Sequence, residues 1–558
     1  MTAQELQRTS IEQSSQSSGD VAVLKKSLTT DSKQPTSHVV ESGFVSSDEA
    51  DAQALAALGI EQQFLRDLGG LEIFSIGFSI FAVVPGLAVV FAYSLEGGPV
   101  AMVWGWLVAS IFIVTIGLMM GELASAMPSA AGIYLWSYKL SPPWCRRQIS
   151  WTVGYLSTVT STTALASVNW ATAQIILTTA TIKTEGSFTY SNGAVFGVCT
   201  AVTLLETMIC CLSTKAVGRA ELLFLALNIG LILAVVIAVP IATPGEYRNS
   251  ASFALGDFET GLGWNGGFAF VYGLLGASWT IANFDSLTRL SEECSNAQVA
   301  VPRALYQSIS IAGVFGTICL GAITFSMGTD LEAISDTDLG NPLAQVFYNS
   351  LGKGGAIAMW IFIILAQIAL GTSLLLASAR QVFSFSRDDA LPFSGWCKTV
   401  RANIPINATM YTAFVTTLFT AISASSDYSS SAIFSVSIVS MYLGYSVPPI
   451  CRYGFYDYNK DFRKGPWHLG RFSFVIYLIS VVWMVFMTVI AMFPASSITS
   501  FSEANYAVLV IAFCLFVTAL YWVFPFGIGA RHWFVGPPVE QDPSLRDQIE
   551  PKPMTETS

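Results

Sequence analysis

Charge is scarce in this chain. Only 11% of its 558 residues are Asp, Glu, Lys or Arg while 53% are hydrophobic, against roughly 25% charged for an average soluble domain. A soluble globular protein of this size is thereby excluded, and the composition is that of a chain living in lipid. Histidine is rarer still, limited to His38, His468 and His532. All three lie outside the long apolar runs, so a buried His base, His relay or His-metal site cannot be assembled. No nucleophile–base pair or metal-ligating cluster is evident either, and no cofactor is expected. The N-terminus has no signal-peptide apolar core. The nine cysteines do not suggest a disulfide framework, because Cys199, Cys210, Cys211, Cys319 and Cys514 sit within apolar runs and the rest at their inner ends. The net charge of −10 reads as a property of loops and tails, and no nucleic-acid partner is expected.

What is present is a succession of apolar runs long enough to cross a hydrocarbon core of about 30 Å. They fall near 72–95, 100–124, 150–178, 193–212, 220–243, 267–288, 307–327, 355–379, 408–426, 430–450, 472–494 and 505–526. An all-α integral membrane protein of about twelve transmembrane helices is predicted. With the N-terminus inside, the loops holding Lys139, Arg146, Arg147, Lys215, Arg219, Arg380, Arg387, Lys398 and Arg401 are cytoplasmic, and the outer loops hold only Lys183, Arg248 and Lys353. This asymmetry places both termini in the cytoplasm. Residues 1–65, rich in Ser, Gln, Thr and Asp, are expected to be a disordered cytoplasmic tail, and 536–558 a Pro-rich second one. The transporter domain between them is 66–535, with halves of about 70–243 and 265–451 and peripheral helices over about 472–526.

Two apolar runs interrupt themselves. The first carries Pro85-Gly86 near its middle, and the sixth has Gly276, Ala277 and Ser278 followed by Asp285, Glu292 and Glu293. Proline removes a backbone donor and crowds the preceding turn, so the backbone is expected to open there. Broken helices at bilayer depth are tolerated where they line a cavity, and spans one and six hold equivalent positions in two five-helix halves. The pattern points to a transporter. Helix kinking at Pro85 and simple helix packing at the small residues are the competing structural readings.

Three stretches then carry a resemblance. GELASAMPSAAGIYLWSYKL at 121–140 resembles the signature of the amino acid-polyamine-organocation transporters. The sixth run, WTIANFDSLTRLSEECSNAQVAVP, is similar to the amino acid/choline branch that holds the fungal GABA permeases, and SARQVFSFSRDDALPFS is similar to its inner-mouth RDGALP sequence. The resemblance covers roughly 65–535. It departs at Arg289, where relatives commonly have His, and at Asp389, where they have Gly.

The resemblance implies a leucine-transporter-type fold, a 5+5 inverted repeat with two extra helices, working by alternating access. In such a scheme the half-helix after Gly86 offers free N–H groups to a carboxylate. Carbonyls near Val83, Val84, Ala277 and Ser278 face an amine, and Trp279 and Phe284 supply an aromatic face worth about 0.5–2 kcal/mol to an ammonium. Candidate substrate residues are thus Val83, Val84, Pro85, Gly86, Leu87, Ala277, Ser278, Trp279 and Phe284, joined by Asn169 and Gln367 as polar positions in spans three and eight. For coupling or gating the candidates are Glu122, Asp285, Arg289 and Glu292, since acids at membrane depth are functional by default. Glu206 is a further such acid. Arg289 is read as a positive-inside anchor, with pairing to Glu292 or Glu293 as its alternative. The expected function is proton-coupled uptake of a GABA-like amino acid at the plasma membrane, with sodium as the alternative ion and the vacuole as the alternative membrane. Choline or polyamine transport and a non-transporting nutrient sensor are the alternative functions. Enzymatic activity is not expected.

Overall fold

A computed structural model describes residues 47–95, 97–212, 214–258, 266–401, 403–460, 462–494, 505–525 and 529–537. The cytoplasmic tails expected over residues 1–46 and 538–558 lie outside these. Among the described residues the regular structure is helical, with two isolated β-bridges.

A helix covers each apolar run. They are α1 (Ser47–Ala56), α2 (Gly70–Phe81), α3 (Val83–Leu95), α4 (Gly98–Ala126), α5 (Gly132–Lys139), α6 (Arg146–Lys183), α7 (Asn192–Cys210) and α8 (Thr214–Leu233, continuing to Ala242). After these come α9 (Gly266–Thr280), α10 (Ser286–Arg289), α11 (Ala297–Thr324), α12 (Pro342–Arg387), α13 (Ile406–Ser423), α14 (Asp427–Gly454), α15 (Ser473–Ile490) and α16 (Ala507–Val523). Among the described residues, 8 helices are long and apolar enough to cross a membrane by length and composition.

α6 illustrates why a core helix escapes that criterion. Its middle is rich in Ser and Thr, yet Ser157, Thr160, Ser161, Thr162 and Thr163 are buried. Most of these hydroxyls bond carbonyls one turn back, as in Ser161 to Ser157 at 2.7 Å and Thr162 to Thr158 at 2.8 Å, while Thr160 reaches the Ser440 hydroxyl at 3.0 Å. A hydroxyl satisfied within its own helix can be buried at little cost, so α6 packs against α12 and α14 with Ser and Thr interspersed among its buried apolar residues.

Residues 47–65 depart from the expected tail. α1 and the segment after it bury Leu55, Leu58, Ile60 and Phe64, and the Phe64 ring meets Phe383 edge-on at 5.1 Å. Leu68 forms a parallel bridge with Cys294: its N–H donates to the Glu293 carbonyl at 3.0 Å, and Ser295 N–H donates to its carbonyl at 2.9 Å. Asp51 pairs with Arg66 at 3.4 Å and accepts the Asn296 N–H at 2.6 Å. These few apolar residues are too short a run to signal a span, but four buried side chains suffice to hold the segment against the helix bundle.

All nine cysteines are free thiols. Asn407, the one glycosylation-type acceptor, is buried and donates to the Trp396 carbonyl at 2.9 Å.

Candidate functional site: a cavity between two broken helices

The first span breaks at Ala82, whose φ of 35° and ψ of 65° are left-handed, and not at Pro85-Gly86. Pro85 is the third residue of α3, inside a first turn whose N–H groups have no intrahelical acceptor, so it costs no hydrogen bond there. This corrects the roles of Val83 and Val84. As the first two residues of α3 they present unpaired N–H groups, and the unpaired carbonyls are those of Ser79, Ile80 and Phe81 in the last turn of α2. Gly86 itself is bonded, its N–H donating to the Ala82 carbonyl at 2.7 Å.

The sixth span likewise opens a turn later than Gly276-Ala277-Ser278. α9 runs through Thr280, the Ile281 N–H donates to the Ala277 carbonyl at 2.8 Å, and the chain turns at Asn283 with φ 54°. The Ala277 carbonyl is therefore spent, while Ser278, Trp279 and Thr280 have carbonyls without an intrahelical partner. Gly276 and Ala277 serve packing: a Cβ on Gly276 would collide with the Ser94 hydroxyl of α3. Asparagine tolerates the left-handed region because its side chain is short and polar. That made Asn283 the legible signal for the break, and it was missed.

Both breaks face one cavity. It is lined by Ile80, Phe81, Gly86, Val89 and Val90 from the first span and by Trp279, Thr280, Ala282 and Asn283 from the sixth. Ser167 and Val168 of α6, Gln367 and Leu370 of α12, and Phe434 and Ser437 of α14 complete it. Gly86 is what lets α3 and α9 approach, since a Cβ there would run into the Thr280 methyl. Trp279 leans on Tyr93 with ring centroids 4.5 Å apart. Three buried polar atoms on the lining residues have no partner: Gln367 Oε1, Trp279 Nε1 and Thr280 Oγ1. Unsatisfied polar atoms are uncommon in folded proteins and call for a reason; a polar ligand supplies one.

Of the sequence-derived substrate residues, Gly86, Trp279 and Gln367 line this cavity. Val83, Val84, Pro85 and Leu87 are buried beside it in the first turns of α3, and Ser278 is buried in the last turn of α9. Phe284 instead packs on Tyr445 at 5.2 Å, and Asn169 points to Glu206 of α7 at 2.7 Å, away from the cavity. Thr280, Asn283, Ser167, Phe434 and Ser437 were not foreseen, because a single Ser, Thr or Phe in an apolar run carries no signal of its own.

The coupling candidates lie outside the cavity lining. Asp285 accepts from Arg289 and from the Tyr445 hydroxyl, each at 2.5 Å. Arg289 is buried and reaches Ser161 at 2.6 Å and Ser157 at 3.3 Å. It is thus neither a headgroup anchor nor a partner of Glu292 or Glu293; one helical turn separates it from Asp285, which fixes the pair. Glu292 accepts from Ser129 Oγ and the Ala130 N–H at 3.1 and 3.0 Å and faces Arg387 at 3.5 Å. Glu293 takes Arg380 in a fork at 2.7 and 3.4 Å. Glu122 lies against Arg452 at 3.2 Å and Ser473 Oγ at 2.6 Å. Beyond the end of α12, Asp388 accepts the Tyr134 hydroxyl at 2.8 Å. Burial pushes its carboxyl up to about 6, with neighbouring Arg387 pulling the other way.

An all-α, multi-pass membrane protein with a mostly apolar cavity carrying a few polar groups between two broken helices belongs to the transporters. Comparison with known proteins makes the class specific. Residues 68–514 match the model of the amino acid permease family. The GABA-specific permease of Saccharomyces cerevisiae is 32% identical over 466 residues, covering 82% of this chain and 81% of that protein. An uncharacterised amino-acid permease of Schizosaccharomyces pombe is 29% identical across 92% of both chains. Amino-acid permease 2 of Neurospora crassa is 29% identical across 90% of this chain and 93% of its own length. The chain belongs to the amino acid permease family; it is a transporter and not an enzyme.

Proposed function

We propose that the chain carries a small zwitterionic amino acid of the GABA type inward across the plasma membrane, driven by protons. The observation that carries this reading is the set of unspent polar atoms around the cavity, on Gln367, Trp279 and Thr280. The first turn of α3 offers N–H groups to a carboxylate, and the last turn of α9 offers carbonyls to an ammonium that Trp279 would also face. None of the residues lining the cavity is charged. A neutral cavity suits a solute that brings both charges over choline or a polyamine, whose positive charge would be left uncompensated. The similarity to a GABA-specific permease supports the same choice.

In this reading α2–α3 and α9–α10 are equivalent elements of a 5+5 inverted repeat, and alternating access moves them against the rest of the bundle. The pairs Glu292–Arg387 and Glu293–Arg380, which join separate elements, close the cytoplasmic side and part when it opens, while Asp285–Arg289 stays fixed within one helical turn. The Lys and Arg bias of the loops supports cytoplasmic termini. The test is uptake of radiolabelled GABA into cells lacking their own permeases, at pH 5 and pH 7, with amino acids, putrescine and choline as competitors. Uptake that rises at pH 5, collapses with a protonophore and is blocked by amino acids is expected. Bound solute without uptake by correctly localised protein would point instead to a sensor, and blockage by choline or putrescine alone to a cation carrier.

A further inference from the structure

Two oxygens in the middle of the bundle share an unusual predicament. Glu206 of α7 and Asn169 of α6 are both fully buried. The Asn169 Nδ2 donates to Glu206 Oε2 at 2.7 Å and to Thr203 Oγ1 at 2.9 Å. The Thr203 hydroxyl spends its own proton on the Cys199 carbonyl at 2.9 Å, so it must accept from Asn169, and this fixes which end of the amide is nitrogen. The remaining oxygens, Glu206 Oε1 and Asn169 Oδ1, have no donor. Both crowd over the same backbone carbon: a Cβ on Gly371 would lie 2.9 Å from Asn169 Oδ1 and would strike Glu206 Oε1 outright.

A carboxylate here would place a negative oxygen beside an amide oxygen with no donor for either. No Lys or Arg among the described residues lies within ion-pair distance of Glu206, unlike Glu122, Asp285, Glu292 and Glu293. On its own helix, Cys199 and Cys210 are the titratable neighbours; Arg380 of α12 and Glu221 of α8 act on Cys210 and not on Glu206. One proton removes the whole difficulty. A carboxylic acid with its hydrogen on Oε1 donates to Asn169 Oδ1 while Oε2 accepts from Nδ2, an eight-membered ring in which every polar atom is satisfied.

We propose that the Glu206–Asn169 pair is the proton-binding site of the transport cycle, holding one proton in the conformation described. Its placement suits that task. Asn169 follows Ser167 and Val168, which line the cavity, and Gly371 lies one turn beyond Gln367, which lines it too. When water takes the proton from Oε1, the new carboxylate repels Asn169 Oδ1, and α6, α7 and α12 part at the level of the cavity. The proton leaves as hydronium and no other bond changes. The proposal rests on the proton-driven reading above, and it replaces Glu122, Asp285 and Glu292 as proton carriers, since each of those has an arginine to hold its charge.

The decisive variant is Glu206→Gln, whose side-chain amide reproduces both ring hydrogen bonds and carries no titrating proton. The purified full-length chain, wild type and variant, is studied in liposomes by two readouts. Infrared spectroscopy at neutral pH should show a protonated-carboxyl C=O band in the wild type that the variant lacks. Radiolabelled GABA exchange at equal pH on both sides should persist in the variant within about threefold, while accumulation driven by a pH gradient is lost. Absence of the infrared difference overturns the protonated pair. A variant that accumulates GABA under the gradient as the wild type does overturns the coupling role and leaves Glu206 a structural acid. If the wild type exchanges GABA yet ignores the gradient, the proton-driven reading falls with it, and the infrared band still reports separately on the pair.

Discussion

The buried acids of this chain fall into two groups with opposite electrostatic solutions. Outside the cavity lining, Glu122, Asp285, Glu292 and Glu293 each face an arginine at 2.5 to 3.5 Å. Between α6, α7, α8 and α12, Glu206 and Glu221 are equally buried and have only amide or hydroxyl partners, Asn169 for the first and Ser373 at 2.6 Å for the second. The difference teaches what each group is for. Ion pairs hold charge in place and release it as pairs, which suits a closure between helices. An acid without a cation stays neutral in a low-dielectric interior, which suits a proton carrier.

The comparison is broken most forcefully at Arg380. Arg380→Ala leaves Glu293 as a buried, uncompensated charge, a loss of about 3–5 kcal/mol. A thermal melt of the detergent-purified protein should show a large drop, with Arg380→Ala/Glu293→Ala together recovering much of it. Equal melting of the single and double variants would show that the pair carries no such charge. Gly371→Ala acts on the other group by forcing a methyl against Glu206 and Asn169. The expected cost is about 1–3 kcal/mol, read as a lower melting temperature and slowed uptake. Asp388 sharpens the contrast because it belongs to neither group, being only partly buried and bonded to the Tyr134 hydroxyl, with Arg387 beside it. Its carboxyl is raised to about 6 from about 4 in an unfolded chain. The folded protein therefore keeps a proton that the unfolded one releases, and stability falls as pH rises from about 4 to about 6. Asp388→Asn removes this penalty, so its melting temperature should exceed that of the wild type at pH 7 and converge with it below pH 4.

Smaller effects are expected at the cavity and the surface. Trp279→Ala should raise the KM for an ammonium-bearing solute by about 2- to 30-fold, the equivalent of 0.5 to 2 kcal/mol of lost cation–π attraction. Lys353→Ala, which removes an exposed partner of Glu185, should leave both melting and uptake unchanged.

The number and placement of the helices were legible because apolar runs of membrane length are the least ambiguous pattern a sequence carries. The two interruptions were legible as well, but each was read at the wrong residue, for different reasons. At Pro85 the eye is drawn to the ring, although proline prefers the start of a helix and so marks the residue after a break. At Gly276 the small residues answer to close packing against Ser94, while the turn waits for Asn283. The pairing of Arg289 with Asp285 was within reach from their spacing of one helical turn; the fork of Arg380 on Glu293 joins residues 87 apart, which no local pattern reveals. The same holds for Asn169, whose amide suited a cavity until the fold turned it toward Glu206. The N-terminal segment failed for want of length, since Leu55, Leu58, Ile60 and Phe64 make an apolar plug and not a span.

The most direct test of the account is chemical protection at the helix breaks. With Thr280→Cys introduced on the cavity lining, the rate of modification by a small thiol reagent is measured in membranes with and without saturating GABA, against the wild type, whose native cysteines are buried or partly so. The account expects a marked slowing of reaction by GABA and none by choline. A rate indifferent to a solute that the protein demonstrably transports would place the substrate elsewhere and contradict the cavity between α2–α3 and α9–α10 as its site.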